Sequence, residues 1–218
     1  MKIVSLNVSR PVTFEWNQES LKTGIFKQPV KEALHLSFVN LDGDEQADLV
    51  NHGGPDKAMC VYPYEHYAHW EKELSRPLAP AAFGENLTVN GMLEPDICIG
   101  DIFQIGDALV QVSQPRKPCH KLAKRYDRMD LPRLVLTTGF TGFYFRVIRE
   151  GIVAPDSTIS LVEKHPLGLT VSFVNQAMHG DQMDRAAIEK LAGLQELAAN
   201  WRQAFEKKRQ ELNNSETE

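Results

Sequence analysis

The chain has 218 residues, 42% hydrophobic and 24% charged, with a formal net charge of −5. That is enough apolar material for a sizeable core, in one domain or in a domain with a small appendage. The acidic balance argues against non-specific nucleic-acid binding but leaves room for a local basic pocket around one phosphate. No run approaches the roughly 18 apolar residues of a membrane span. The first residues, Met1 to Leu6, lack the apolar stretch of a signal peptide, so a cytoplasmic protein with no membrane partner is expected.

The first three-quarters reads as short strands and turns. Residues 2–8 alternate apolar and polar, as do 35–39 and 108–112. Turn signals at 41–44, 90–91 and 99–101 separate them, and Asn90-Gly91 predicts a tight hairpin between 87–89 and 92–93. Many short strands at regular spacing favour a barrel over a βαβ sheet. One helix is expected over 64–74, with Tyr67, Trp70 and Leu74 on one face. A second is expected over 131–138, closed by Gly139, before 143–148 returns to strand. His165-Pro166-Leu167-Gly168 reads as a linker, dividing a domain over 1–165 from an appendage over 166–218. Beyond it the period turns helical. Thr170 caps a helix through Met178, Asp184 caps another that stops before Gly193, and a third spans 195–212. The basic cluster at 206–209 is expected to be a solvated helix end, and the tail from 213 disordered.

Cys60, Cys98 and Cys119 are odd in number and form no CxxC pair, which disfavours a disulfide framework, a zinc ribbon or an iron–sulfur centre. No glycine-rich nucleotide fingerprint is present. Cys60 and Cys98 lie in apolar runs and read as small core residues. Cys119 leaves a strand behind Pro115 and Pro118, with Arg116, His120 and Lys121 beside it. Positive neighbours favour the thiolate, which ligates metals or attacks electrophiles; the alternative is a loop cysteine without chemistry.

His52-Gly53-Gly54-Pro55-Asp56-Lys57-Ala58 is the strongest loop motif. Its glycines admit a ligand close to the backbone, its exposed N–H groups suit an anion, and Lys57 and His52 add a charge and a donor. The same residues would also make a plain Gly-Gly-Pro turn. Arg116 can fork onto an anion in a way that lysine cannot, and Gln114 supplies an amide on the same loop. Asp101 either orients a donor or closes a turn. Tyr62, Tyr64 and His66 follow the glycine loop and, taken singly, fit core or surface roles better than a pocket lining, and Thr138-Gly139 with Gly142 would make a flexible loop near the site.

Residues 51–58, Phe83-Gly84-Glu85-Asn86-Leu87, Gly100-Asp101 and the Gln-Pro-Arg-x-Pro-Cys run ending at Cys119 come in the order and spacing of the MOSC family. That family is named for the C-terminal domain of molybdenum cofactor sulfurases. The chain resembles its bacterial YiiM-like branch, which the 43–46 stretch and the three C-terminal helices also fit. The resemblance implies a mainly β fold: a closed barrel of the pyruvate-kinase type with flanking helices and a three-helix appendage. It implies a molybdopterin-type molybdenum cofactor, its phosphate near Lys57 and Arg116. The implied cofactor-binding set is His52, Gly53, Gly54, Asp56, Lys57, Gly84, Glu85, Asn86, Asp101, Gln114 and Arg116. Glu85 and Asn86 would face a pterin's amino and carbonyl groups, or else simply form a turn. Cys119 thiolate would coordinate the metal, as soft ligands suit it.

The implied reaction reduces N-hydroxylated compounds, R–NHOH to R–NH2 and water, by two-electron chemistry between Mo(VI) and Mo(IV). His52 or a nearby acid would deliver a proton to the leaving hydroxyl. With no flavin or iron–sulfur motif in view, a separate flavin or iron–sulfur reductase would supply the electrons. A homodimer is compatible with the chain. Two other classes stay open: a sulfur carrier with a Cys119 persulfide, and a non-catalytic cofactor-binding module.

Overall fold

The computed structural model describes residues 1–49, 52–180 and 184–215. Asn51 of the glycine-loop motif lies outside the described residues. In chain order the strands are β1 Lys2–Val8, β2 Val12–Trp16, β3 Glu19–Thr23, β4 Gln28–Pro29, β5 Leu34–Leu36, β6 Met59–Pro63, β7 Leu87–Asn90, β8 Ile102–Ile105, β9 Ala108–Pro115, β10 Phe143–Arg149, β11 Gly151–Val153 and β12 Ile159–Glu163. The helices are α1 Tyr67–Leu74, α2 His120–Tyr126, α3 Leu131–Thr138, α4 Val171–His179, α5 Arg185–Gly193 and α6 Ala199–Ser215.

Eight strands form one sheet in the order β12-β8-β9-β10-β6-β7-β1-β4. It is mixed, because β6 and β7 run parallel while the other pairs are antiparallel. The crossover between β6 and β7 carries α1, as a parallel return requires. The expected closed barrel does not form, and six helices make "mainly β" only a rough description. β12 pairs only with β8, and β4, two residues long, only with β1. Among the described residues a single isolated bridge, Lys2 with Thr158, spans the gap, so the sheet is a curled half-barrel.

The expected hairpin at Asn90-Gly91 is also absent. β7 already has β1 on one edge and β6 on the other, so no edge is left for residues after Gly91, and Met92 enters the core instead. The α3 boundaries and its Gly139 cap match expectation. So do the caps of α4 and α5: Thr170 Oγ1 accepts from Phe173 N, and Asp184 Oδ1 from Ala187 N. α6 starts at Ala199 rather than 195, because 194–198 forms a turn that donates Ala198 N to Ser113 O. It continues through 213–215, so the tail expected to be disordered is helical there, and 216–218 lie outside the described residues.

Strand alternation sorts the core into two bodies. Met59 and Val61 of β6 and Phe143 and Phe145 of β10 join a core shared with α4, α5 and α6, through Val174, Ile188, Trp201 and Phe205. Tyr62, on the opposite face of β6, joins α1 and α3 around Trp70, Phe83 and Val135. Cys60 and Tyr144 belong to that second face by parity, and there a cleft opens.

Candidate functional site

β9 carries the local feature that builds the site. Phe145 pairs with Val112, but Tyr144 pairs with Gln114, so Ser113 is an extra residue, a β-bulge. Val110 and Val112 face the main core; after the bulge the chain changes phase and delivers Arg116 and Cys119 to the cleft. Ser113 Oγ donates to Asp56 O at 2.6 Å, which brings the glycine loop to the same place. Arg146 Nη2 pairs with Asp56 Oδ1 at 2.7 Å and fixes the loop to β10.

The cleft brings together His52, Lys57, Gly84, Asn86, Arg116 and Cys119 of the expected set. Five of its lining side chains are cationic (Lys27, Lys57, Arg116, Lys117 and Lys121) against two carboxylates (Glu45 and Asp48), so it is a positive pocket in an acidic chain. Lys27 is buried and paired with Asp44. Arg116 is 6% exposed; its Nη2 donates to Phe83 O, while its buried Nη1 has no hydrogen-bond partner among the described residues. A buried charged donor left bare is costly, so this atom calls for an acceptor. Cys119 is half-buried at the N-cap of α2, a helix that the sequence reading leaves out.

Burial, reinforced by Arg116, Lys121 and Lys57, holds His52 below the ordinary histidine range, with Asp48 pulling the other way. Burial likewise lowers Lys57, against Asp56 and Asp48. Gly84 sits at φ 76°, where a Cβ would lie 2.7 Å from Ile25 Cγ1 of the opposite wall.

The remaining expected residues serve the scaffold. Gly53 and Gly54 lead from His52 into the turn Pro55–Lys57 without lining the cleft. Glu85 is fully buried; Oε1 accepts from Tyr67 Oη, Ala81 N and Thr88 Oγ1, and Oε2 from Phe83 N. Four donors from its own surroundings engage it and it does not line the cleft, so it organises the 81–85 turn. Asn86 reaches the cleft wall, but its amide is engaged with Cys60 N and Asn7 O. Asp101 lies away from the cleft and accepts from Cys98 N and His165 N, which is the turn role. Gln114 is buried and does not line the cleft, and its Oε1 has no partner among the described residues. Tyr62 and His66 are core residues, and Tyr64 is exposed.

Sequence reasoning missed Lys27, Tyr144 and the 45–48 wall, and read Cys60 as core only. Cys60 lines the cleft beside Tyr144, and burial pushes its thiol up to about 11. Burial also raises Tyr144 well above the ordinary range, so its phenol keeps its proton. Its signal was visible: one polar-tipped residue alternating with Phe143 and Phe145 in a strand. Among the described residues no group of three or more His, Cys, Asp or Glu could hold a metal ion. Nor is any described helix long and apolar enough to cross a membrane.

The family model of the MOSC domain matches residues 48–160, and that of the YiiM-like, 3-alpha helix domain matches 169–211. The uncharacterized protein YflK of Bacillus subtilis (strain 168) is 50% identical over 210 residues, 96% of this chain and 95% of its own length. The crystal structure of YiiM from Geobacillus stearothermophilus is similar with a TM-score of 0.81 at 39% identity, covering 95% of this chain and 98% of that one. A protein of Gibberella moniliformis (strain M3125 / FGSC 7600) named "Reductase" is 35% identical over 150 residues, 66% of this chain and 26% of its own length. The two matched models lie in order along the chain, and the chain belongs to the MOSC-domain family, in its YiiM-like branch.

Proposed function

We propose that the cleft binds a molybdopterin-type molybdenum cofactor and that the chain reduces N-hydroxylated compounds: R–NHOH, two electrons and two protons give R–NH2 and water. The observation that carries this reading is the unpartnered Nη1 of buried Arg116, in a cation-lined cleft that also presents the Cys119 thiol. A phosphate supplies the acceptor that this guanidinium lacks. A thiolate is the ligand type that soft metals take. A cofactor that brings most of its own metal ligands would need only one from the protein.

When bound, the cofactor supplies the two-electron redox chemistry. On this reading Arg116, Lys57 and Lys121 hold its anionic group, and Cys119 offers the thiolate. Phe83 and Ile25 give the cleft an apolar wall that limits water. His52, which burial and its cationic neighbours hold below the ordinary histidine range in the protein alone, would gain its proton beside the bound anion and deliver it to the leaving hydroxyl. Family membership and the relative named "Reductase" support reduction as the class of chemistry. Electrons come from a separate flavin or iron–sulfur protein.

The test is molybdenum and pterin content of wild type and Cys119→Ala, both purified from a host that makes the cofactor. Near-stoichiometric molybdenum in wild type, lost in the variant, is expected. Absence of both metal and pterin from wild type would overturn the reading and direct the next assay to cyanide-labile sulfur on Cys119.

A further inference from the structure

One of the contacts between the C-terminal helices and the elements that build the cleft runs through the 141–142 loop. Arg116 N donates to Gly142 O at 3.0 Å, so the backbone of the cleft's arginine hangs on Gly142. Gly142 is fixed in turn. It sits at φ 69°, and a Cβ there would lie 2.3 Å from Val61 O, so the loop has no room to shift in that direction.

Two routes from α4 meet at this residue. In the first, Ser172 N donates to Glu94 O at 3.0 Å, while Glu94 Oε1 accepts from Gly142 N at 2.7 Å. The other oxygen of Glu94 lies 2.7 Å from His66 Nε2, which leaves that buried carboxylate little freedom. In the second, Asn175 Nδ2 donates to Thr141 Oγ1 at 2.8 Å, and that hydroxyl donates to Gly142 O at 2.9 Å. The carbonyl that receives Arg116 N therefore also receives a hydroxyl oriented from α4. Thr141 and Asn175 are both buried, so water does not substitute readily for either bond.

We infer that α4 sets the placement of Arg116 in the cleft, with Thr141 and Asn175 as positioning residues. The inference rests on the reading of Arg116 as the cleft's anion ligand. It gives the three-helix region a function at the site: besides covering the main core, it holds the loop from which the arginine is hung. Loss of the Asn175–Thr141 route lets Gly142 O turn, and Arg116 then presents its charge to the cleft less well.

The test reads the field at Cys119 and needs no cofactor. The full-length chain is alkylated with iodoacetate, an anion, and with iodoacetamide, its neutral counterpart. The rate ratio at Cys119 is followed by peptide mass, which separates it from Cys60. Arg116→Ala is expected to lower the ratio about five-fold, the order for one unit charge removed from contact with a charged reagent in water. Thr141→Val and Asn175→Leu are expected to lower it in the same direction by about two-fold, a fraction of that charge effect. Thr141→Ser, which keeps the hydroxyl, is expected to retain the wild-type ratio. Ile188→Val, a core change in α5 remote from this path, is also expected to leave it unchanged. If Arg116→Ala lowers the ratio while Thr141→Val and Asn175→Leu do not, the inference is overturned and Arg116 keeps its role. If Ile188→Val lowers it as much as they do, general loosening is the cause and the inference is overturned. If Arg116→Ala leaves the ratio unchanged, Arg116 as anion ligand falls, and the inference with it.

Discussion

Glu85 and Arg116 are two buried ionisable side chains close enough to interact electrostatically, and the fold treats them in opposite ways. Glu85 receives four hydrogen bonds from its own surroundings. Arg116 donates from Nη2 to one carbonyl, and its Nη1 has no acceptor among the described residues. A saturated buried charge organises the chain around it; an unsaturated one waits for a ligand. The family motif contains both, and the count of partners together with a place in the cleft lining separates them.

The strongest way to break this contrast is Glu85→Leu. It leaves buried donors at Tyr67, Ala81, Phe83 and Thr88 without their acceptor, and is expected to cost at least about 3 kcal/mol in urea unfolding, since each orphaned group costs roughly 1–3 kcal/mol. Arg116→Met should do the reverse. The stability cost is expected to be smaller, about 1–3 kcal/mol, because one acceptor, Phe83 O, loses its donor. Molybdenum and pterin content should fall at least about tenfold, the value of one hydrogen bond to a charged group. Asp101→Asn sharpens the comparison from the other side. It is expected to cost about 1–2 kcal/mol, because an amide oxygen accepts less strongly than a carboxylate, and to leave cofactor content unchanged.

The smallest effect is a pH dependence at His52. Burial depresses its pKa, so its contribution to stability is present above about 6.5 and is lost as pH falls through the lowered folded value. A bound anion favours the protonated imidazole and reverses that preference. Sulfate, whose charge is constant over this range, is therefore expected to bind more tightly as pH falls below about 6.5, by at most about tenfold per unit, since one proton is taken up. His52→Gln should flatten both slopes, measured by calorimetry and thermal unfolding.

Local chemistry was legible in the sequence wherever one residue decides the outcome. Thr170, Asp184 and Gly139 each mark a helix end where the structure has one. The glycine loop and the prolines before Cys119 identified two sides of the cleft from composition alone. What was not legible depends on partners far away in the chain. The Asn90-Gly91 turn signal is genuine, but a hairpin also needs a free edge, and β1 and β6 occupy both edges of β7. Glu85 and Asp101 look like ligands because carboxylates are expensive to bury. Their donors are main-chain N–H groups and hydroxyls that no residue pattern announces. Lys27 joins the cleft through an ion pair with Asp44, and nothing in its neighbours singles it out. The bulge at Ser113 is visible only once β9 is laid against β10.

The contacts that finish this cleft also order its appearance in time. The last residue that lines it is Tyr144, yet Ser113 O awaits Ala198 N, and Thr141 awaits Asn175. On a ribosome adding roughly 5–20 residues per second, the 54 residues from 145 to 198 take about 3–10 s to synthesise. Through that interval the nascent chain holds every residue of the cleft without the anchors that α4 and the start of α6 supply. The binding site is therefore a late product of translation, completed by the part of the chain that lies outside the cleft itself.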